Sequence, residues 1–384
     1  MEYTGMNEEQ ERVQRESREN GGMGTPGRYL GSVRKQCSRL GFALIIIIAF
    51  SYISSFAWKQ LVALMTASGS SAGQEAVHFL IDRGAVIALS SLCGYLVSLP
   101  LAARFLKPFP EEKSLKMKMR AGKFLMLLVL AMGLGYIGSF AGNLINMLIS
   151  AATGKSLFEM NPVNQMLNML SWPNILMITV MAPLVEEWIF RKMLLNRVRF
   201  LGEQRAIVFT ALLFGLMHGN ISQTIFATII GLVLGYAAVK TGRIVHCILI
   251  HMIVNSYSVL ASLLTKWTGE GSSLSVYAGY GLLTLFGLSV FVFMIAAVVI
   301  LILKWNKAVY RKGSVPDGIG GGALYRAVYL NPGMILMYLY ASVHSVTGSQ
   351  CRRSPGRRNC FLHRPFLTLC NVITIINSNE YHII

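Results

Sequence analysis

The sequence has few charged residues, and acidic residues are especially scarce. Of its 384 residues 14% are charged and only 17 are Asp or Glu, whereas 54% are hydrophobic. A composition this apolar excludes an ordinary soluble domain. The apolar residues form runs of about 20, which is long enough for a helix to cross a bilayer. The sequence therefore predicts an all-α, polytopic transmembrane helix bundle.

Several common motifs are also missing. The six cysteines show no CxxC spacing, so neither a disulfide framework nor a thiolate zinc site is predicted. There is no HExxH motif. About 38 mostly polar residues precede the first apolar run, which excludes a cleavable signal peptide. The net charge of +18 comes without basic–aromatic interleaving or an RNA-binding signature, so no nucleic-acid partner is predicted.

The apolar runs predict about eight spans, with the N-terminus in the cytoplasm. The predicted spans are residues 41–64, 85–103, 124–149, 175–195, 206–217, 221–239, 244–264 and 276–303. With this count every Lys/Arg-rich loop faces the cytoplasm, as the positive-inside rule requires. The outer side holds only Lys155 and Lys266 in loops, with Lys59 and Arg83 at span edges.

Composition divides the chain into three parts. Residues 1–40 predict a disordered cytoplasmic tail, residues 41–312 the transmembrane bundle, and residues 313–384 a cytoplasmic or aberrant tail. Within that tail, residues 330–343 resemble the start of another apolar helix. From His344 the sequence becomes basic and loses its periodicity, as in a shifted reading frame, a fusion or a disordered tail. No function is assigned to the tail.

Two adjacent carboxylates, Glu186 and Glu187, lie well inside the fourth apolar run. Nearly all other acidic residues lie in the N-terminal tail, in loops or at span edges. A charge within lipid costs about 2.5–3.5 kcal/mol on insertion scales. Arg191 follows Glu187 at i,i+4 and can pair with it, whereas Glu186 points about 100° around the helix. The stretch indicates either a functional site or an ion pair that joins two helices.

Polar side chains also interrupt two later apolar runs. Phe214 and His218 share one helix face, and His251 and Asn255 share another, because both pairs have i,i+4 spacing. Polar groups within a bundle turn inward and find one another. Taken singly, such a histidine or asparagine is more often a strut between helices. Taken together, the groups can activate water for amide hydrolysis, with a Glu as general base or through a metal.

The motifs EExxxR, FxxxH and HxxxN, in that order, resemble the CPBP family, the CAAX prenyl protease and bacteriocin-processing (Abi) intramembrane endopeptidases. The resemblance covers about residues 175–260. It implies that Glu186 activates water or associates with a metal, helped by His218. It also implies that Glu187 and Arg191 form a supporting pair.

The resemblance further implies that His251 and Asn255 complete the site, with Asn255 suited to an oxyanion hole. It suggests a divalent metal, with zinc as the candidate and Glu186, His218 and His251 as its ligands. The same residues can instead act as a glutamate-type peptidase, and the sequence leaves both schemes open.

Three functions compete at this point. The first is an endopeptidase that cleaves a membrane-embedded peptide or protein. The second is a non-enzymatic bacteriocin-immunity or scaffold protein of the same fold. The third, a proton-coupled carrier, is disfavoured because no second copy of the Glu pair indicates an inverted repeat. Short loops and the lack of an organelle signal predict a multi-pass protein of a bacterial plasma membrane, where prenylated substrates are not expected.

Overall fold

The computed structural model describes residues 25–68, 70–82, 85–109, 111–112, 116–153, 171–268, 273–304 and 308–347. These residues form eleven helices and no strand, with the continuous helix Trp172–Leu201 counted once. The helices are α1 Pro26–Ala67, α2 Ser71–Asp82, α3 Ala85–Leu106, α4 Ala121–Thr153, α5 Trp172–Leu201, α6 Glu203–Met217, α7 Ile221–Thr241, α8 Ile244–Trp267, α9 Ser273–Lys304, α10 Gly321–Tyr329 and α11 Pro332–Thr347.

Seven of the described helices are long and apolar enough to cross a membrane, namely α1, α3, α4, α5, α7, α8 and α9. This confirms the predicted all-α, polytopic bundle, and the protein is a multi-pass membrane protein. The predicted span at 206–217 is α6, whose 15 residues extend only about 22 Å. Since the hydrocarbon core is about 30 Å thick, α6 is better described as the short arm of a hairpin with α7.

The two arms of this hairpin lie close together because α7 has small residues on the facing side. A Cβ added to Gly231 would lie 3.0 Å from the Ala211 Cα, and one added to Gly235 would lie 3.0 Å from the Ile207 side chain. Small residues permit this approach between helices in a membrane. The hairpin holds the end of α6 against α5 and α8.

The basic loops meet at one end of the bundle, hereafter the basic end. Three hydrogen bonds join its widely separated segments: Glu112 N–H to the Asn196 carbonyl (3.0 Å), Met117 N–H to the Thr241 carbonyl (2.8 Å), and Gln36 Nε2–H to the Arg197 carbonyl (2.7 Å). The beginning of α1 therefore lies at this end. That this end faces the cytoplasm, as the positive-inside rule predicts, stays a prediction.

The buried carboxylate of Glu203 ties three elements together at the basic end. It pairs with Arg199 of α5 at 3.1 Å and with Lys240 of α7 at 2.6 Å. It also accepts the backbone N–H of Arg311, after α9, at 3.1 Å. Burial raises the pKa of the Glu203 carboxyl, but Lys240, the Arg311 N–H and Arg199 outweigh burial and lower this pKa overall.

The C-terminal helices α10 and α11 pack against the bundle. Leu324, Val328, Met334 and Met337 all belong to the buried core. The apolar helix predicted near residues 330–343 forms as α11. The stretch 313–384, which the sequence assigns to a tail, thus contributes two packed helices, and residues 348–384 lie outside the described residues.

Helix α11 lies on α1 with backbone against backbone. A Cβ added to Gly41 of α1 would lie 2.5 Å from the carbonyl carbon of Gly333. The Gly333 N–H also donates to Ser38 Oγ at 3.0 Å. Glycine is required at this contact because a side chain would force the two helices apart.

We expect Gly41→Ala to destabilise the protein by about 1–3 kcal/mol, the usual cost of overpacking. The matched control is Gly281→Ala in α9, where an added Cβ meets nothing within 4 Å. That substitution should be neutral or stabilising by up to about 1 kcal/mol, because Ala is the better helix former. Thermal unfolding in detergent measures both variants. Equal melting temperatures for the two would contradict the contact.

The second prediction concerns acid stability. Because the pKa of Glu203 is lowered on folding from its ordinary value of 4.5, its contribution is present above that value and is lost as the pH falls through the folded pKa. Glu203→Gln should therefore destabilise the protein near pH 7, and the difference from wild type should disappear in acid. Denaturant unfolding across this pH range measures it. Glu75→Gln, at an exposed position of α2, is the matched control and should leave the stability near pH 7 unchanged.

Candidate active site

The Glu pair lies in an irregular part of α5. A π-helical segment, Met177–Met181, precedes the α-helical segment Ala182–Glu187, and a second π-helical segment, Trp188–Leu195, follows it. Pro183 has no backbone N–H and so cannot complete the α-helical hydrogen-bond ladder at this point. π-Helical turns occur frequently at functional sites. Here they flank the two carboxylates on both sides.

Glu187 is fully buried and holds two partners. Its Oε2 accepts a hydrogen bond from Arg191 Nε at 2.9 Å, so the predicted i,i+4 pair is confirmed. Its Oε1 lies 3.0 Å from His251 Nδ1. Because a carboxylate accepts hydrogen bonds, we assign the donor proton to Nδ1, and Nε2 of His251 lies on the side of Glu186. The pair therefore links α5 to α8 and orients the His251 ring.

Glu186 projects into the same region from a different angle. Its Oε2 lies 3.8 Å from His251 Nε2, which is beyond hydrogen-bonding distance. The Glu186 side chain keeps 15% of its surface accessible, whereas that of Glu187 keeps none. Of the two carboxylates, Glu186 is thus the one that a water molecule can reach.

His218 ends the short arm of the hairpin, beside this pair. Its Nδ1 lies 2.8 Å from the Phe214 carbonyl one turn earlier. Since a carbonyl can only accept, Nδ1 donates and Nε2 carries the lone pair. The His218 ring contacts Phe214 edge-on, and the same Phe214 ring contacts His251, the neighbour of Glu186. The structure thus brings His218 of α6 to the same place as Glu186 and His251.

Phe214 lies at the centre of the group. Its ring centroid is 5.1 Å from that of His218 and 5.7 Å from that of His251, with both contacts edge-on. The ring of Phe190 packs on it from α5 at 4.9 Å. The Arg191 guanidinium lies 5.6 Å from the Phe214 centroid, within the range of a cation–π contact. The aromatic ring fixes the spacing of the polar groups around it.

Asn255 holds α8 to α5. Its Nδ2 donates to the Ile178 carbonyl at 2.9 Å, in the first π-helical segment. The predicted amide donor is therefore used between helices, which favours the strut that the sequence left open over an oxyanion hole. Asn255 remains within the same face of α8 as His251.

A metal site does not emerge from this arrangement. Across the described ranges, no group of three or more His, Cys, Asp or Glu side chains is placed to hold a metal ion. The predicted ligands Glu186, His218 and His251 are close neighbours but do not form such a set. The zinc site stays a prediction, and the chemistry below is derived from the side chains alone.

Sequence reasoning missed two supporting residues. Phe190 is fully buried against Phe214, and nothing distinguishes it in sequence from the other apolar residues of α5. Cys247 donates its Sγ–H to the Leu234 carbonyl at 3.3 Å and so joins α8 to α7. Its i,i+4 spacing from His251 was a usable signal, because it places both on the inward face of α8.

One comparison with known proteins matches the part of the chain that holds this site. Residues 168–257 match the family model described as type II CAAX prenyl endopeptidase Rce1-like. All six predicted site residues lie within the match. A search of curated proteins and a search of solved structures each gave no match. The resemblance drawn from the three motifs is confirmed over residues 168–257, which are similar to this family of CAAX proteases.

Proposed function

We propose that this protein is an intramembrane endopeptidase that hydrolyses a peptide bond in a membrane-associated protein or peptide. The family match indicates a protease. The observation that carries the proposal is the approach of Glu186 Oε2 to within 3.8 Å of His251 Nε2, while Glu187 holds His251 from behind. A structural ion pair between Glu187 and Arg191 needs no second carboxylate and no second imidazole at the same place.

Glu186 acts as the general base in this proposal. It takes a proton from a water molecule while the water oxygen attacks the carbonyl carbon of the scissile peptide bond. The proton then passes to the leaving amine nitrogen as the carbon–nitrogen bond breaks. Glu186 is suited to this task because its side chain is partly exposed, and the general base must contact both the water and the substrate.

The two histidines hold the reacting groups and stabilise charge. His251 keeps its Nε2 towards Glu186 because Glu187 fixes its Nδ1. His218 presents its own Nε2 because the Phe214 carbonyl fixes its Nδ1. Groups held in this way lose little further freedom during the reaction and act in a medium of low dielectric constant, where they are most effective.

The substrate class follows from the surroundings of the site. The carboxylates lie inside a bundle of apolar helices, so the peptide must enter from the bilayer or from its edge. A membrane-embedded peptide or a protein tail fits this route. Whether the substrate is prenylated and whether zinc assists the water are further proposals, which lipid analysis of the cleaved peptide and metal analysis of the purified protein would test.

We expect Glu186→Gln to abolish cleavage, with a fall of at least about 10²-fold, because the amide cannot accept the proton from water. The measurement compares protein termini in membranes from cells that express the wild type or the variant. New peptide ends should appear only with the wild type, and they would identify the substrate.

Glu75→Gln is the matched control, since it makes the same chemical change outside the site. It should leave the termini as in the wild type. If wild type and Glu186→Gln gave identical termini at equal expression, the endopeptidase proposal would be wrong. The non-enzymatic immunity or scaffold function would then become the better explanation.

Glu187→Gln should act differently from Glu186→Gln. It leaves the buried Arg191 guanidinium without its counter-charge, so we expect a loss of about 3–5 kcal/mol in stability as well as of cleavage. Adding Arg191→Met should restore much of the stability but not the cleavage. Thermal unfolding of the two single variants and the double variant measures this. A double variant as unstable as the sum of the single variants would contradict the pairing.

A further inference from the structure

The turn that follows His218 contacts the C-terminal helix. At this turn Gly219 adopts a φ of +63°, in the left-handed region that favours glycine. Asn220 then caps α7 by accepting the Gln223 N–H at 3.3 Å. From the other side, His344 of α11 places its Nδ1 3.1 Å from the Gly219 carbonyl. Since the carbonyl accepts, His344 Nδ1–H is the donor.

The contact is close and shielded from the surroundings. His344 is only 5% exposed. A Cβ added to Gly219 would lie 2.7 Å from His344 Nδ1 and 2.8 Å from its Cγ. The imidazole therefore lies directly against the backbone of the turn.

The same turn sets the position of the His218 ring. The His218 N–H donates to the Gly215 carbonyl at 3.0 Å, and the Gly219 N–H donates to the Leu216 carbonyl at 3.2 Å. These are the last bonds of α6, where a helix end frays most easily. The Nδ1–H of His344 donates to the Gly219 carbonyl, which follows these two bonds in the chain. This contact opposes fraying of the helix end.

Helix α11 is itself firmly placed. Its Gly333 N–H bonds to Ser38 Oγ, and Gly333 packs directly on Gly41 of α1. Met334 and Met337 are fully buried. Helix α11 therefore connects α1 to the turn that carries His218.

From these contacts we propose that His344 is a positioning residue of the candidate active site, which holds the Gly219 turn and so aims the His218 imidazole. The effect on cleavage rests on the proposed endopeptidase function. The effect on the turn itself does not, and it can be measured separately.

The first experiment measures the turn in the full-length protein by amide hydrogen exchange. We expect His344→Leu to speed exchange of the amides in residues 216–222 about tenfold, because the turn opens more often. His344→Asn should restore slow exchange, since an Asn amide N–H can occupy the place of Nδ1–H. Val343→Ala, at a neighbouring position that is 52% exposed, should not change the exchange. Exchange in His344→Leu equal to that of the wild type would overturn the proposal.

The second experiment measures cleavage of the substrate found by the comparison of termini. His344→Leu should lower kcat about tenfold with little change in KM, because a small misplacement of a catalytic group slows the reaction more than it weakens binding. His344→Asn should keep most of the activity. An activity loss of equal size in His344→Asn would indicate a merely structural role and contradict the proposal. If the wild type cleaves nothing, the endopeptidase function fails, while the exchange result still decides the contact.

A double-mutant cycle covers the case in which His344→Leu does not fold. Gly219→Ala alone should destabilise strongly, through its positive φ and through the collision with the ring. In a His344→Ala background the ring atoms at 2.7 and 2.8 Å are absent and only the Cβ of residue 344 remains, at 3.1 Å, so Gly219→Ala should cost less there. Strictly additive changes in melting temperature would contradict direct contact.

Discussion

The buried carboxylate of Glu187 is the constraint on which the centre of this protein depends. A fully buried charge is tolerated only when it is paired and hydrogen-bonded. Glu187 satisfies this with Arg191 on its own helix and with His251 on α8. The requirement fixes the rotation of α5 and the register of α8 together. With both helices fixed in this way, the Glu186 side chain lies opposite Nε2 of His251.

The sequence predicted this centre because it depends on spacing within one helix and on the need of polar groups in a membrane bundle to find partners. The spacing of Glu187 and Arg191 is a property of one helix, and it formed as expected. The meeting of Glu187 with His251 spans 64 residues, yet it followed from the rule that polar groups in a membrane bundle find one another. Asn255 shows the limit of this reasoning. Its inward direction could be predicted, but its acceptor, the Ile178 carbonyl, lies in a π-helical segment that the sequence did not predict.

The sequence did not predict that α6 is too short to span the bilayer or that α11 packs on α1, and the reasons differ. The apolar run at 206–217 looked like a span because hydropathy counts residues and does not show where a short helix turns back. Helix α11 was predicted as an apolar helix, but it was assigned to a tail because the sequence after it is basic. Its docking depends on Gly333 meeting Gly41 and on Ser38 accepting one N–H. Such contacts depend on the surfaces of two helices together, so the sequence of either helix alone does not predict them.

The docking of α11 has a consequence for biogenesis. The hydrogen bond between Gly333 and Ser38 joins residues 295 positions apart. The beginning of α1 therefore stays uncovered by α11 until nearly the whole bundle has been translated. The carboxylates of α5 and the histidines of α6 and α8 leave the ribosome before His344 does. Contacts of such long sequence separation form late in folding. A nascent chain therefore holds all the predicted reactive groups in the bilayer before α11 packs against α1.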